Sequence, residues 1–171
     1  VNLEEKIRTI KDFPKEGIEF KDITTLLKDP EAYQATIQKF VERYQDQEID
    51  VVVGIEARGF LVGAPLALEL GKSFVPARKE GKLPAEVVRA EYDLEYGSNI
   101  LEIHKDALEE GQKVLIIDDL LATGGTVKAT ADLIQEIGGE IVELAFLLEL
   151  GFLGGRDQLV DYDIYSIIIE D

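Results

Sequence analysis

The stretch Val114–Thr126, VLIIDDLLATGGT, decides the reading of this chain. Val114 to Ile117 are apolar without alternation, which predicts a strand buried on both faces, as in a parallel sheet covered by helices. Asp118 and Asp119 follow, so two adjacent carboxylates are expected at the carboxyl end of that strand. Carboxylates only accept hydrogen bonds, and a vicinal diol donating two O–H groups is a matching partner. Ala122, Thr123, Gly124, Gly125 and Thr126 then supply small side chains, glycines and hydroxyls where a helix is predicted to begin. Free backbone N–H groups and the helix dipole at such a start suit a phosphate. A diol beside a phosphate describes a ribose 5-phosphate. The alternative stays open that the aspartates are helix caps or metal ligands and that the glycines only turn the chain. No lysine follows Gly125, so this is not a nucleotide-binding P-loop, and the dinucleotide pattern G-x-G-x-x-G is absent too.

Working outward, Asn2 and Glu5 have the spacing of a capping box and predict a short helix to about Ile10. Residues 13–30, FPKEGIEFKDITTLLKDP, read as irregular, punctuated by Pro14, Gly17 and Pro30. Asp29-Pro30 is an N-cap followed by proline at the first helical position, and Tyr33, Ile37, Phe40, Val41 and Tyr44 recur at helical spacing. IDVVVG, residues 49–54, predicts a second buried strand, followed by a helix that closes at Gly71. SFVPAR, residues 73–78, is a further strand, weakened by Pro76. Residues 80–106 fit neither pattern cleanly. EVVRAEYDLEY and NILEIH could pair as an antiparallel ribbon, and so long an excursion has the character of a lid or binding loop. Strand 113–118, a helix from about Thr126 to Ile137, strand 140–148, a short helix near 153–159 and strand 163–169 complete the chain. This alternation predicts one α/β domain over residues 1–171, with a doubly wound, mainly parallel sheet and helices on both faces. In such sheets ligands gather at the carboxyl ends of the strands.

Composition narrows the function. The 171 residues are 46% hydrophobic and 31% charged, a globular balance, and no apolar run reaches the length of a membrane span. Without cysteine there is no disulfide framework, thiolate nucleophile or thiolate metal site. Together with the lack of a signal-peptide pattern, this makes the cytoplasm the expected compartment. A formal net charge of −17 argues against nucleic-acid binding, which needs Lys and Arg to neutralise phosphates. Yet residues 58–89 carry six basic residues (Arg58, Lys72, Arg78, Lys79, Lys82, Arg89) against three acidic ones (Glu69, Glu80, Glu86). A local +3 in an acidic chain points to a small anionic ligand or, more simply, to a basic solvated face.

Residues 114–126 closely resemble the phosphoribosyl-pyrophosphate motif of the type I phosphoribosyltransferases. DDLLATGGT is most similar to the adenine-using members of that family, and EARGF (56–60), RKEGKLP (78–84), YDLEYG (92–97), AFLLEL (145–150) and residues 13–30 agree in order and spacing. The resemblance covers nearly the whole chain. It implies a small N-terminal hood, a flexible catalytic loop, and a reaction joining adenine to 5-phosphoribosyl-1-pyrophosphate to give AMP and pyrophosphate. Asp118 and Asp119 would hold the ribose hydroxyls, and residues Ala122 to Thr126 would cradle the 5-phosphate. Glu56, Ala57 and Arg58 would form the pyrophosphate loop, with a cis peptide between Glu56 and Ala57. Lys79 and Lys82 would join it, as would Arg78 from a neighbouring subunit of a homodimer. Cations placed in advance around a departing anion lower its barrier strongly. Mg2+ is expected mainly on substrate oxygens, with no direct protein metal site.

The resemblance also bears on the base. Family members that use 6-oxopurines carry an acid inside the phosphate loop, where this chain has Ala122; the acid/base role would pass to Glu95 in LEYG. Phe20 and Leu120 would sandwich the ring, and backbone groups around Glu19 to Lys21 would read its edge, although an acid at Glu19 is unusual there. Two other readings remain: a non-catalytic relative that binds the sugar phosphate as an effector, and an enzyme for another base. The first usually adds a DNA-binding domain, for which this chain has neither room nor charge.

Overall fold

The computed structural model describes residues 1–93 and 97–171. Its centre is a seven-stranded sheet. Strands β3 (Val51–Ile55), β4 (Ser73–Lys79), β7 (Lys113–Leu121), β8 (Glu140–Leu150) and β9 (Ile164–Glu170) run parallel, with β7 between β3 and β8. β5 (Val87–Asp93) and β6 (Ser98–His104) pair antiparallel with each other, and β6 joins β4 at Arg78 and Lys79. The long excursion is therefore largely a ribbon that extends the sheet. A separate pair, β1 (Arg8–Lys11) and β2 (Glu19–Asp22), forms the N-terminal hairpin.

The unalternating apolar runs are explained by what covers them. Val51, Val53, Val114 and Ile116 face helix α4 (Gly125–Glu136) and pack with its Val127, Ala131 and Ile134. Val52, Leu115 and Ile117 face the opposite way, against Phe40 and Tyr44 of α2 (Pro30–Tyr44) and Val62 and Leu66 of α3 (Arg58–Leu70). With both faces buried, each position needs an apolar side chain. A third cluster, built on Leu3, Ile23, Leu26, Leu147 and Leu148, fastens the N-terminal region to the far end of β8. Among the described residues no helix is long and apolar enough to cross a membrane.

Local signals account for the helix boundaries. The Asp29 carboxylate accepts from the N–H groups of Glu31 and Ala32, leaving Pro30 where no N–H is needed. α3 closes on Gly71, whose φ of 67° is the left-handed cap conformation. Pro65 lies inside α3 and cannot donate to the carbonyl of Leu61. That carbonyl instead accepts the hydroxyl of Tyr33 from α2, which ties the two helices together.

Several expectations need correction. Residues 2–10 are not one helix: Asn2 accepts the N–H of Glu4 at 3.2 Å ahead of a single 3-10 turn at Glu4–Lys6, and the chain then extends into β1. Cross-strand partners win over local helix propensity there, since Arg8 Nε donates to Asp22 (3.1 Å) and Lys21 Nζ to Thr9 Oγ1 (2.9 Å). The irregular reading of 13–30 missed β2 and the short helix α1 (Thr24–Leu27). The helix expected near 153–159 is two 3-10 turns, Gly151–Leu153 and Gly155–Gln158. Pro76 is tolerated because β4 meets β6 only at Arg78 and Lys79, so beside Pro76 the strand has a neighbour on one side. β7 also runs beyond Asp118 to Leu121.

Leu66 is fully buried between α3 and the sheet. Leu66→Ala is expected to cost about 2–5 kcal/mol of stability. In urea titrations the midpoint should fall with an unchanged slope.

Candidate active site

β3 pairs with β7 only as far as Gly54–Ile117, whereas β8 accompanies β7 to Leu121. From Asp118 onward β7 is therefore open on the β3 side, and a cleft of about 320 Å³ lies there. Glu56, Arg58, Lys79, Asp118, Asp119 and Leu120 line it, with the loop from Ala122 to Thr126. These residues come from the ends of β3, β4 and β7 and the starts of α3 and α4. Its volume suits a small ligand.

The two aspartates are held differently. Asp119 is buried and its carboxylate receives Arg58 Nε at 3.0 Å. Arg58 in turn lies 5.3 Å from the centre of the Phe20 ring, linking the hairpin to the cleft. Asp118 accepts the backbone N–H of Asp119 at 2.9 Å and packs against Gly59, where a Cβ would come within 2.9 Å of its carboxylate. A side chain at Gly59 would also meet the carbonyl of Ile117 at 3.2 Å, so glycine there lets α3 begin directly against β7. Burial, and then the adjacent Asp119 charge, push the Asp118 carboxyl well above its ordinary value of 3.8.

Opposite the aspartates, the Glu56–Ala57 peptide is cis and Glu56 turns away from solvent. Its carboxylate accepts the N–H of Lys79 at 2.7 Å, binds Lys82 Nζ, and has Arg78 Nε at 3.3 Å. Burial acts to raise the Glu56 carboxyl, but the bonds from Lys82 and Lys79 outweigh it and leave it lowered. One carboxylate thus gathers the cationic end of β4 at the edge of the cleft.

The third wall is the start of α4. Its N-cap is Gly124, with φ 91°, and no side chain caps the helix. The first N–H groups of a helix have no partner within it. Here they belong to Gly125, Thr126 and Val127, all lining the cleft. Uncapped N–H groups across from two carboxylates, beside Lys79 and Arg58, can receive a phosphate and a diol together.

Among the described residues no three Asp, Glu or His side chains cluster as a metal site. Asp118 and Asp119 are two oxygen donors, and Asp119 is already engaged by Arg58. Such a donor set fits Mg2+ that keeps waters and substrate oxygens as most of its ligands.

Not every expected residue lies in the cleft. Arg78 and Lys82 point to Glu56 rather than lining it, and Lys21 is paired with Glu170 at 3.1 Å. Glu19 and Phe20 sit on β2, outside the lining, with Phe20 stacked edge-on against Phe13. Ala57 is the N-cap of α3 between the two lining residues Glu56 and Arg58. Glu95 lies outside the described residues. Tyr92 and Asn99 line the cleft without having been anticipated. They face each other in the register of β5 and β6, and the available signal was the ribbon pattern flanking YDLEYG.

The profile of the phosphoribosyl transferase domain matches residues 22–170. An adenine phosphoribosyltransferase of Clostridium novyi is 57% identical over 171 residues, covering 100% of this chain and 99% of that protein. The crystal structure of adenine phosphoribosyltransferase from Thermoanaerobacter pseudethanolicus superposes with a TM-score of 0.95 at 54% identity, covering 99% of this chain and 100% of that one. The Saccharomyces cerevisiae enzyme, complexed with an imino-altritol bisphosphate and adenine, gives a TM-score of 0.91 at 40% identity, over 96% of this chain and 95% of that one.

The raised Asp118 carboxyl has a consequence for stability. Below its unfolded value of 3.8 the group is protonated in both states and costs nothing. As pH rises from 3.8 toward the raised folded value, the unfolded chain ionises this group while the fold resists, so the native state loses stability until that value is passed. Asp118→Asn should therefore raise the melting temperature of the ligand-free protein at neutral pH, with the gain shrinking toward acid. Calorimetric scans from about pH 4 to about pH 8 check this.

Proposed function

The chain belongs to the phosphoribosyl transferase family, and we infer that it transfers the 5-phosphoribosyl group of 5-phosphoribosyl-1-pyrophosphate to adenine, giving AMP and pyrophosphate. The observation that carries this reading is the single cleft in which the Asp118–Asp119 pair, the uncapped start of α4 and the cationic end of β4 converge.

Each wall takes one part of the donor. Asp118 and Asp119 accept the ribose hydroxyls and oppose the positive charge that grows on the sugar as its bond to pyrophosphate breaks. The N–H groups and hydroxyls of Ala122 to Thr126 hold the 5-phosphate. Arg58 and Lys79 meet the pyrophosphate, and Lys82 reaches it by leaving Glu56. Charge on the departing group is then met by cations already in place. Mg2+, when bound, supplies further positive charge to the pyrophosphate oxygens. Adenine lies against Leu120, with Phe20 as the second face and backbone groups of Glu19 to Lys21 at its edge. The family resemblance gives Glu95 the acid/base role at purine N7, taking the N7 proton as N9 bonds to the ribose carbon and pyrophosphate leaves, and lets its loop exclude water that would hydrolyse the activated sugar.

The same resemblance supports a homodimer in which Arg78 serves the neighbouring site; Leu61 and Leu68, exposed on α3, are apolar surface that association would cover. A cytoplasmic location accords with a cysteine-free chain.

Pyrophosphate release with the sugar substrate fixed and the base varied tests the assignment. With Ala122 in the phosphate loop, kcat/KM for adenine should far exceed those for hypoxanthine and guanine; equal values would reject adenine as the substrate. Glu95→Gln keeps size and polarity but cannot transfer the proton, and kcat should fall by about 10²–10⁴-fold with little change in KM for the sugar pyrophosphate. A variant with normal kcat, under conditions where chemistry is rate-limiting, would remove Glu95 from the proton transfer.

A further inference from the structure

We propose that the 3-10 turn Gly155–Gln158 is the element that aims the phosphate loop, and that Gln158 is its positioning residue. This rests on reading residues 122–126 as a phosphate cradle. The loop has little of its own to fix its shape: its side chains are small, two of its residues are glycine, and no side chain caps the helix it opens. Its rigidity comes from the turn more than thirty residues away.

Contact is backbone against backbone at two points. A Cβ on Gly124 would lie 2.7 Å from the carbonyl oxygen of Gly155, and a Cβ on Gly155 would lie 2.5 Å from that of Ala122. Neither neighbour is a flexible side chain that could move aside. Between these points Gln158 Nε2 donates to the carbonyl of Thr123 at 2.6 Å. In a trans peptide the C=O and N–H point in opposite directions. Pulling the Thr123 carbonyl toward Gln158 therefore turns the N–H of Gly124 the other way, toward the cleft that Gly124 lines. Gln158 does not line that cleft. Its action on a bound phosphate is exerted through the peptide plane.

The turn is itself anchored. Arg156 places Nε and Nη2 on the two carboxylate oxygens of Glu149, each at 2.8 Å, and Ser166 Oγ adds a bond at 2.7 Å. Glu149 is buried on β8, opposite Leu121 in register. Leu159, next to Gln158, is buried in the same cluster as Val127 of α4. A fixed path thus runs from β8 through Glu149 and Arg156 to the turn and the phosphate loop.

The test uses Gln158→Met, which keeps length and loses the donor, and Gln158→Ala. Because Gln158 is exposed, melting temperatures should match the wild type. Loss of one hydrogen bond should weaken calorimetric binding of ribose 5-phosphate by about threefold to tenfold in both variants. KM for the sugar pyrophosphate should rise by a similar factor, with kcat and the KM for adenine unchanged. Wild-type affinity for ribose 5-phosphate in both variants would overturn the proposal, as would a loss matched by a fall in melting temperature. A wild-type protein that binds ribose 5-phosphate yet releases no pyrophosphate with adenine would overturn the assigned reaction, and the affinity ratio would still decide the role of Gln158. A wild-type protein that binds no ribose 5-phosphate would overturn the positioning role itself.

Discussion

Between Ile117 and Asp118 the central strand loses its neighbour on one side, and the site depends on that loss. From Val114 to Ile117, β7 is enclosed by β3, β8 and a helix layer on each face, so only apolar residues fit. Beyond it, β8 continues to hold the strand straight while β3 has turned away into the Glu56–Ala57 bend. Two carboxylates can then stand at a rigid position facing open space. A loop could carry the same residues but would not hold them in advance of the ligand.

Around that opening the charges are arranged in opposed pairs. Asp119 is matched by Arg58, and Glu56 by Lys82, Arg78 and the N–H of Lys79. Buried carboxylates of this kind are tolerable because each has a cationic or N–H partner. Asp118 is the least compensated, with one backbone N–H, a like charge beside it and Arg58 acting only as a nearby positive charge. Its cost in the free protein makes sense if a ligand supplies the missing partner. Diol hydroxyls donate to a carboxylate, and their arrival would relieve what the fold leaves unsatisfied.

The cations around Glu56 follow the same logic. Lys82 and Arg78 are held by an internal carboxylate rather than ranging through solvent. A multiply charged anion can compete for them because Glu56 offers a single negative charge.

Much of this was legible in the sequence because the physics is local there. Unbroken apolar runs required strands covered on both sides, Asp29-Pro30 required a helix start, and Gly71 a helix end. Paired acids followed by ATGGT pointed to a diol and a phosphate, with helix caps or metal ligands as the alternative. Other features depend on partners distant in the chain. Arg8–Lys11 became a strand because residues 19–22 lie beside it. Tyr92 and Asn99 entered the cleft because the β5–β6 ribbon folds across it. Arg78 and Lys82 turned to Glu56, more than twenty residues earlier, and Gln158 to Thr123. The sequence by itself determined the layered sheet and the chemical character of its ligand, since burial and residue type are readable along the chain. Only the tertiary structure decided which charges pair, where β7 is left open and what packs against the loop from Ala122 to Thr126, because those are contacts between segments whose separation in sequence carries no signal.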